Sequence, residues 1–180
     1  MPVFQNGSQF PANGRISVMD AEQFGTGISV YNKSFGIGIG GIGTNVATYI
    51  PFVIPTTVTV YRLWTMYQGT ALGNYDLGLY TETGTRLASI GSTAVVNPHN
   101  YTLLYGDIPD TIIARGTYYV ALAYSNGSAG CCRFALSAGL QRGLGLYVQS
   151  SALPLPATAT FSTSNTTTAI PLVGLDLRGY

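Results

Sequence analysis

Charge is what this sequence has least of. Charged residues make up 8% of its 180 positions, against roughly 25% in ordinary soluble domains. There is one lysine, Lys33, with seven arginines and seven acids, so the surface has to be built from Ser, Thr, Asn, Gly and Tyr. Ionised groups are costly to dehydrate unless they are paired, and a neutral surface therefore suits burial against other protein. The alternative is a secreted β-domain whose surface is simply neutral. A formal net charge of +1, with the basic residues spaced singly, sets up no field for a phosphate backbone, so nucleic acid is excluded as an expected partner.

Long apolar runs are missing too. None approaches the ~20 residues a membrane-spanning helix needs, although mean hydropathy is positive, and no membrane partner is expected. The N-terminal Met1-Pro-Val-Phe-Gln-Asn-Gly-Ser8 lacks a basic stretch followed by an apolar one, so it does not read as a signal peptide and synthesis in the cytoplasm is expected. No stretch of about 12 residues repeats apolar positions at helical spacing.

Cysteine is limited to the adjacent pair Cys131 and Cys132, whose side chains would leave a strand on opposite faces. Without CxxC spacing or a nearby histidine, they are expected to be structural thiols rather than a strained vicinal disulfide or a metal site, their redox state left open.

Catalytic parts are equally scarce. The single histidine, His99, sits in the turn-forming Asn97-Pro-His-Asn100 with no nucleophile or carboxylate beside it. Asp76, Glu82, Asp107, Asp110 and Asp176 are the carboxylates that could pair for glycoside hydrolysis, and nothing in the sequence aims two of them together. Asp107 and Asp110, in Gly106-Asp-Ile-Pro-Asp110, are too few for calcium, which takes six or more oxygens, and are expected to brace a turn. No GxxxxGK[ST], GxSxG or HExxH motif occurs. The expectation is a non-enzyme with no cofactor and no metal.

What is present falls into two parts. Residues 1–45 alternate turn signals such as Asn13-Gly14 with short apolar pieces and then enter Phe35-Gly-Ile-Gly-Ile-Gly-Gly-Ile-Gly43. Extended, this segment carries Phe35, Ile37 and Ile39 on one face and bare backbone on the other. Glycine alternation makes such a strand unstable alone and marks close approach by another backbone. We therefore expect an arm that adds to a sheet, its own or a neighbour's, with Phe35, Ile37, Ile39 and Ile42 as protein-contacting residues; a flexible leader is the alternative.

Residues 46–180 read as an antiparallel β-sandwich domain. About nine strands are predicted, over 46–54, 57–67, 74–81, 86–90, 100–105, 116–125, 132–138, 144–149 and 170–178. Tyr75, Leu77 and Leu79 oppose Asn74, Asp76 and Gly78, and Phe134, Leu136 and Ala138 oppose Arg133, Ala135 and Ser137. The strand at 116–125 is apolar on both faces and predicted to be central and covered twice. Strand number and spacing point to a jelly roll, with an immunoglobulin-like topology as the other option. The segment 150–169, rich in Ser, Thr, Ala and Pro, is expected to cross the outside and contribute no core.

Aromatic residues make up 12% of the chain, chiefly 13 tyrosines, enough for a sugar-stacking platform. Trp64, with Val58, Val60 and Met66 on one predicted strand face, is instead expected in the core.

Three stretches together resemble the jelly-roll domain of tailed-phage virion proteins: Ile54-Pro-Thr-Thr-Val-Thr-Val-Tyr-Arg-Leu-Trp64, the run from Gly73 to Ser92, and Arg115-Gly-Thr-Tyr-Tyr-Val-Ala-Leu-Ala123. Leu153-Pro-Leu-Pro-Ala-Thr-Ala-Thr-Phe161 is similar to that family's late crossing segment. The resemblance covers roughly residues 46–178 and leaves the arm unmatched. It implies a virion component with no catalytic residues, often a homotrimer, acting as a capsid decoration (cement) protein or in a tail or head fibre. One compact domain with a short arm, and no repetitive shaft, favours decoration of a head lattice made of major capsid protein; a fibre module that binds a host-surface glycan is the alternative.

Overall fold

β-Branched and aromatic residues alternating with small or polar ones favour a pleated, half-buried surface over a helix. In the computed structural model this alternation gives two antiparallel sheets, and no helix occurs among the described residues. The structure describes residues 15–17, 38–69, 72–96, 102–127, 130–135, 145–150, 152–162 and 169–178. In chain order the strands are β1 (Arg15–Ser17), β2 (Gly38–Gly40), β3 (Ala47–Ile54), β4 (Val58–Tyr67), β5 (Asn74–Thr81), β6 (Arg86–Ser89) and β7 (Thr93–Ala94). They continue with β8 (Thr102–Ile113), β9 (Gly116–Tyr124), β10 (Cys131–Ala135), β11 (Tyr147–Gln149), β12 (Ala169–Pro171) and β13 (Val173–Arg178).

β4 organises the first sheet. β8 runs along one of its edges, from Val58↔Ile113 to Tyr67↔Thr102. β13 takes the other edge from Thr59↔Arg178 to Thr65↔Val173, and β10 follows at Tyr67↔Cys131. β10 also pairs with β2 and β12, and β13 with β1. The second sheet has the order β11–β3–β9–β5–β6, with β7 also on β5.

Between the sheets lies a core drawn from both. β4 contributes Val58, Val60, Leu63 and Tyr67, and β13 contributes Val173, Leu175 and Leu177. From the second sheet, Ile50, Phe52 and Ile54 of β3, Tyr75, Leu77 and Leu79 of β5, and Val120, Leu122 and Tyr124 of β9 face them. Cys131 is also buried in this core. The architecture is all-β and sandwich-like.

β9 is covered twice, as its sequence predicts. Its other face sends Tyr119, Ala121 and Ala123 into a second apolar cluster on the outside of the second sheet. What covers that outside corrects one expectation. Residues 152–162 do cross the outside, but they also supply core, burying Ala152, Leu155 and Ala159 in this cluster. Gly78 of β5 leaves the room that the Leu155 side chain fills: a Cβ there would come within 2.9 Å of Leu155 Cδ1.

A second correction concerns β8. The sequence ends this strand near residue 105, at the turn-like Gly106-Asp-Ile-Pro-Asp110, yet the strand runs on to Ile113. Among the described residues β8 hydrogen-bonds only to β4, and an edge strand tolerates a proline that a central strand would reject. The predicted strand end at 136–138 lies outside the described residues, as do His99, Phe35 and Ile37.

Candidate functional site

Val60 and Leu63 are both fully buried in the core although three positions separate them, so regular alternation must fail between them. It fails at Tyr61. On one side of β4 the register jumps from Val60↔Thr111 to Arg62↔Asp107, and on the other from Val60↔Leu177 to Arg62↔Asp176. Against β13 the extra residue is Tyr61, whereas against β8 the longer stretch is on β8, where residues 108–110 stand opposite Tyr61 alone. Irregularities of this kind twist a strand and re-aim its side chains. Here they send two consecutive residues, Tyr61 and Arg62, to the outside of the first sheet.

Together with neighbours on β8 and β13 they form a ladder across three strands. The Arg62 guanidinium carbon lies 4.5 Å from the Tyr105 ring centroid and 5.4 Å from that of Tyr61, and the Arg178 carbon lies 4.6 Å from Tyr61. Cations over aromatic faces at these distances are attracted by the ring quadrupole. Two carboxylates of β8 fix the guanidinium groups: Arg62 Nε donates to Asp107 Oδ1 at 2.6 Å and Arg178 Nε to Asp110 Oδ1 at 2.8 Å.

The Arg62 hydrogen bond holds the Asp107 carboxyl below the usual carboxylate range, and the same bond raises Arg62 further. Both carboxylates are open to solvent, with 68% and 54% of their side-chain surfaces exposed. Exposed ion pairs add little stability, so the ladder's main physical effect is to hold its side chains in one arrangement.

The bulge also corrects the placement of Trp64. It does not share a face with Val58 and Val60: its ladder partners are Tyr105 and Gly174, on the outer side, where it is nonetheless only 5% exposed. Asp107 and Asp110 are likewise strand residues in ion pairs rather than braces of a turn.

The outside of the second sheet is occupied by the chain's own residues 152–162. Phe161 lies 4.7 Å from the rings of Tyr119 and Tyr147 and 5.3 Å from Tyr49, which meets Tyr80 edge-on at 5.2 Å. The Tyr80 hydroxyl donates to Pro156 O at 2.7 Å. Burial pushes Tyr49 and Tyr119 up to about 12, and Tyr80 higher still. Asp76, expected on a solvent face, is fully buried under this segment, accepting Leu155 N at 2.9 Å and Ser89 Oγ at 2.8 Å. Burial raises its carboxyl against the opposing effect of those hydrogen bonds. Among the described residues, no three His, Cys, Asp or Glu side chains form a group that could hold a metal.

Of the arm residues singled out from the sequence, two are described. Ile39 lies in β2, opposite Cys132 of this chain's own β10. Ile42 is 5% exposed and belongs to the core between the sheets. Just beyond, Asn45 N donates to Tyr124 O at 2.7 Å, so the described end of the arm is tied down within the chain.

In comparisons with protein families, curated proteins and solved structures, nothing matches this chain. Its site therefore has to be read from its own chemistry. The Tyr61–Arg62 ladder escapes the sequence reading of single acids and aromatics, because its members come from three strands. A signal is nonetheless there: Val58, Val60 and Leu63 break strict alternation at a Tyr-Arg pair, the pattern a bulge leaves in a half-buried strand.

Proposed function

We propose that this chain is a structural virion protein without catalytic activity, a capsid decoration (cement) protein that binds and stabilises a tailed-phage head lattice. The observation that carries this reading is the strand order together with the almost uncharged surface. Taking β2, β3, β4, β5, β6, β8, β9 and β10 as strands one to eight, one sheet contains strands one, eight, three and six, and the other is ordered two, seven, four, five. This order supports reading the sandwich as an eight-stranded jelly roll, with β1 and the pair β12 and β13 added to the first sheet.

A sandwich with 8% charged residues presents largely neutral surface that other protein can cover at small desolvation cost. Subunits grouped as a homotrimer would present three copies to the lattice, and the Gly-Ile segment would supply the apolar contact through Phe35, Ile37 and Ile39. Ile42, buried in the chain's own core, is assigned no part in that contact.

The test is co-sedimentation of the purified full chain with empty heads and, separately, with tails. Binding to heads, lost in a Phe35→Asp/Ile37→Asp double variant that stays folded, supports the reading. Binding to tails alone, or undiminished head binding by the double variant, overturns it.

A further inference from the structure

The Tyr61–Arg62 ladder lies on the outer side of the first sheet, on three strands distinct from the Gly-Ile segment. It interrupts the hydrogen-bond ladders of β4 on both edges, with one extra residue on β4 against β13 and two on β8 against β4. On the β8 side the irregularity includes Ile108, which is buried in the core, but Tyr61 itself adds nothing there: Val60 and Leu63 are the buried pair on either side of the Tyr61–Arg62 step. What the fold gains from Tyr61 is the outward pair Tyr61 and Arg62 beside Tyr105, Asp107, Asp110 and Arg178.

The composition of this patch selects a ligand class. The two guanidinium groups are paired one to one with two solvent-open carboxylates, so the two ion pairs carry no net charge; a third carboxylate, Asp176 opposite Arg62 on β13, is buried. An anion such as phosphate or sulfate that met the arginines would also meet Asp107 and Asp110, and a cation that met the aspartates would meet the arginines. Each ion pair is a one-point contact, Nε to Oδ1, so the terminal Nη groups and the second carboxylate oxygen take no part in it. The patch thus places fixed donors next to fixed acceptors, which is what vicinal hydroxyls require, because each hydroxyl both donates and accepts. Tyr105, 52% exposed, adds an aromatic surface of the kind that stacks on the C–H face of a pyranose ring.

The geometry points to a binding site for a neutral saccharide on the outside of the first sheet, built from Tyr61, Arg62, Tyr105, Asp107, Asp110 and Arg178. This goes beyond lattice attachment: a subunit held on a particle by another surface would show this face to the exterior and give the particle a grip on a polysaccharide coat.

The experiment applies the full chain to an array of neutral, sulfated and amine-bearing oligosaccharides, and follows with titration calorimetry on the neutral sugar bound best. The expected result is binding to neutral sugars, weakened at least tenfold by Tyr105→Ala and by Asp107→Asn and unchanged by Glu82→Gln in the turn between β5 and β6. Because both substituted side chains are exposed, circular dichroism should show the variants folded. Three outcomes would each overturn the proposal: no neutral sugar bound, a preference for the sulfated or amine-bearing sugars, or neutral-sugar binding that survives both substitutions. Self-association of the chain that the same substitutions abolish would instead make the face a contact between copies. Head co-sedimentation of the variants is read in parallel; its retention separates failure of the saccharide site from failure of the decoration reading.

Discussion

The carboxylate of Asp76 accepts the backbone amide of Leu155 at 2.9 Å, joining positions 79 residues apart. The bond fastens the crossing segment to the second sheet, and the Ser89 hydroxyl donates to the other carboxylate oxygen. Asp76→Ala would leave a buried amide without an acceptor and should cost about 2–4 kcal/mol in urea unfolding.

The same residue gives a pH dependence whose sign follows from its burial. Its carboxyl is raised in the folded protein, so the native state holds that proton more tightly than the unfolded chain. Its contribution to stability is most favourable below the unfolded carboxylate value, about 4, and declines as pH rises from there through the raised folded value. Asp76→Asn keeps an acceptor for Leu155 and removes the titration. Unfolding curves between pH 3.5 and 7 should lose this downward component in the variant, and an unchanged slope would contradict the assignment.

Tyr61 is the extra residue on β4 relative to β13, where Asp176 and Leu177 are consecutive but their partners Arg62 and Val60 are not. Deleting Tyr61 should regularise that pairing and keep Val60 and Leu63 inward, costing about 1–3 kcal/mol. Deleting Thr65 instead puts every later β4 residue on the opposite face and should prevent folding, because a one-residue slip exchanges core and solvent faces. Thermal melts of the two deletions distinguish the cases, and equal damage from both would argue against the bulge.

Gly106 of β8 meets the Ile90 side chain: a Cβ there would lie 2.5 Å from Ile90 Cγ2. Gly106→Ala is expected to lose about 1–3 kcal/mol through overpacking. In an Ile90→Ala background the loss should shrink by at least ~0.5 kcal/mol, the size of coupling that residues in contact show. Additive effects would mean that the two positions do not press on each other.

How far the sequence speaks for this fold depends on how local the signal is. Tyr118 to Tyr124 carries large or small apolar groups at every position, and a strand covered on both faces is the direct physical reading, which β9 bears out. Tyr75, Leu77 and Leu79 likewise face the core. Asp76 could not be placed from its own strand, because the segment that buries it lies 79 residues away. The continuation of β8 past Pro109 depends on its pairing, among the described residues, with β4 alone, a property of the sheet and not of the residues. The ladder is the extreme case: Asp107 and Asp110 look like turn acids until the β4 bulge brings Arg62 within reach and β13 brings Arg178. Ile42 reads as an arm residue because Gly40, Gly41 and Gly43 surround it, yet a lone isoleucine beside the sandwich is also a ready core filler.

The pairing of β4 with β13 also sets an order of events for the chain as it is made. Thr65 Oγ1 donates to Leu172 O, 107 residues later, and every rung of that ladder spans a comparable distance. While a ribosome is still adding the intervening strands, this edge of β4 has no β13 to close it, and the backbone donors and acceptors of Thr59 to Thr65 stand ready for any extended neighbour. Loop-closure entropy makes such late, distant pairings slow. Nascent copies crowded on one message would be most prone to pair with one another through this strand, so the yield of folded protein should depend more steeply on expression rate than its final stability would suggest.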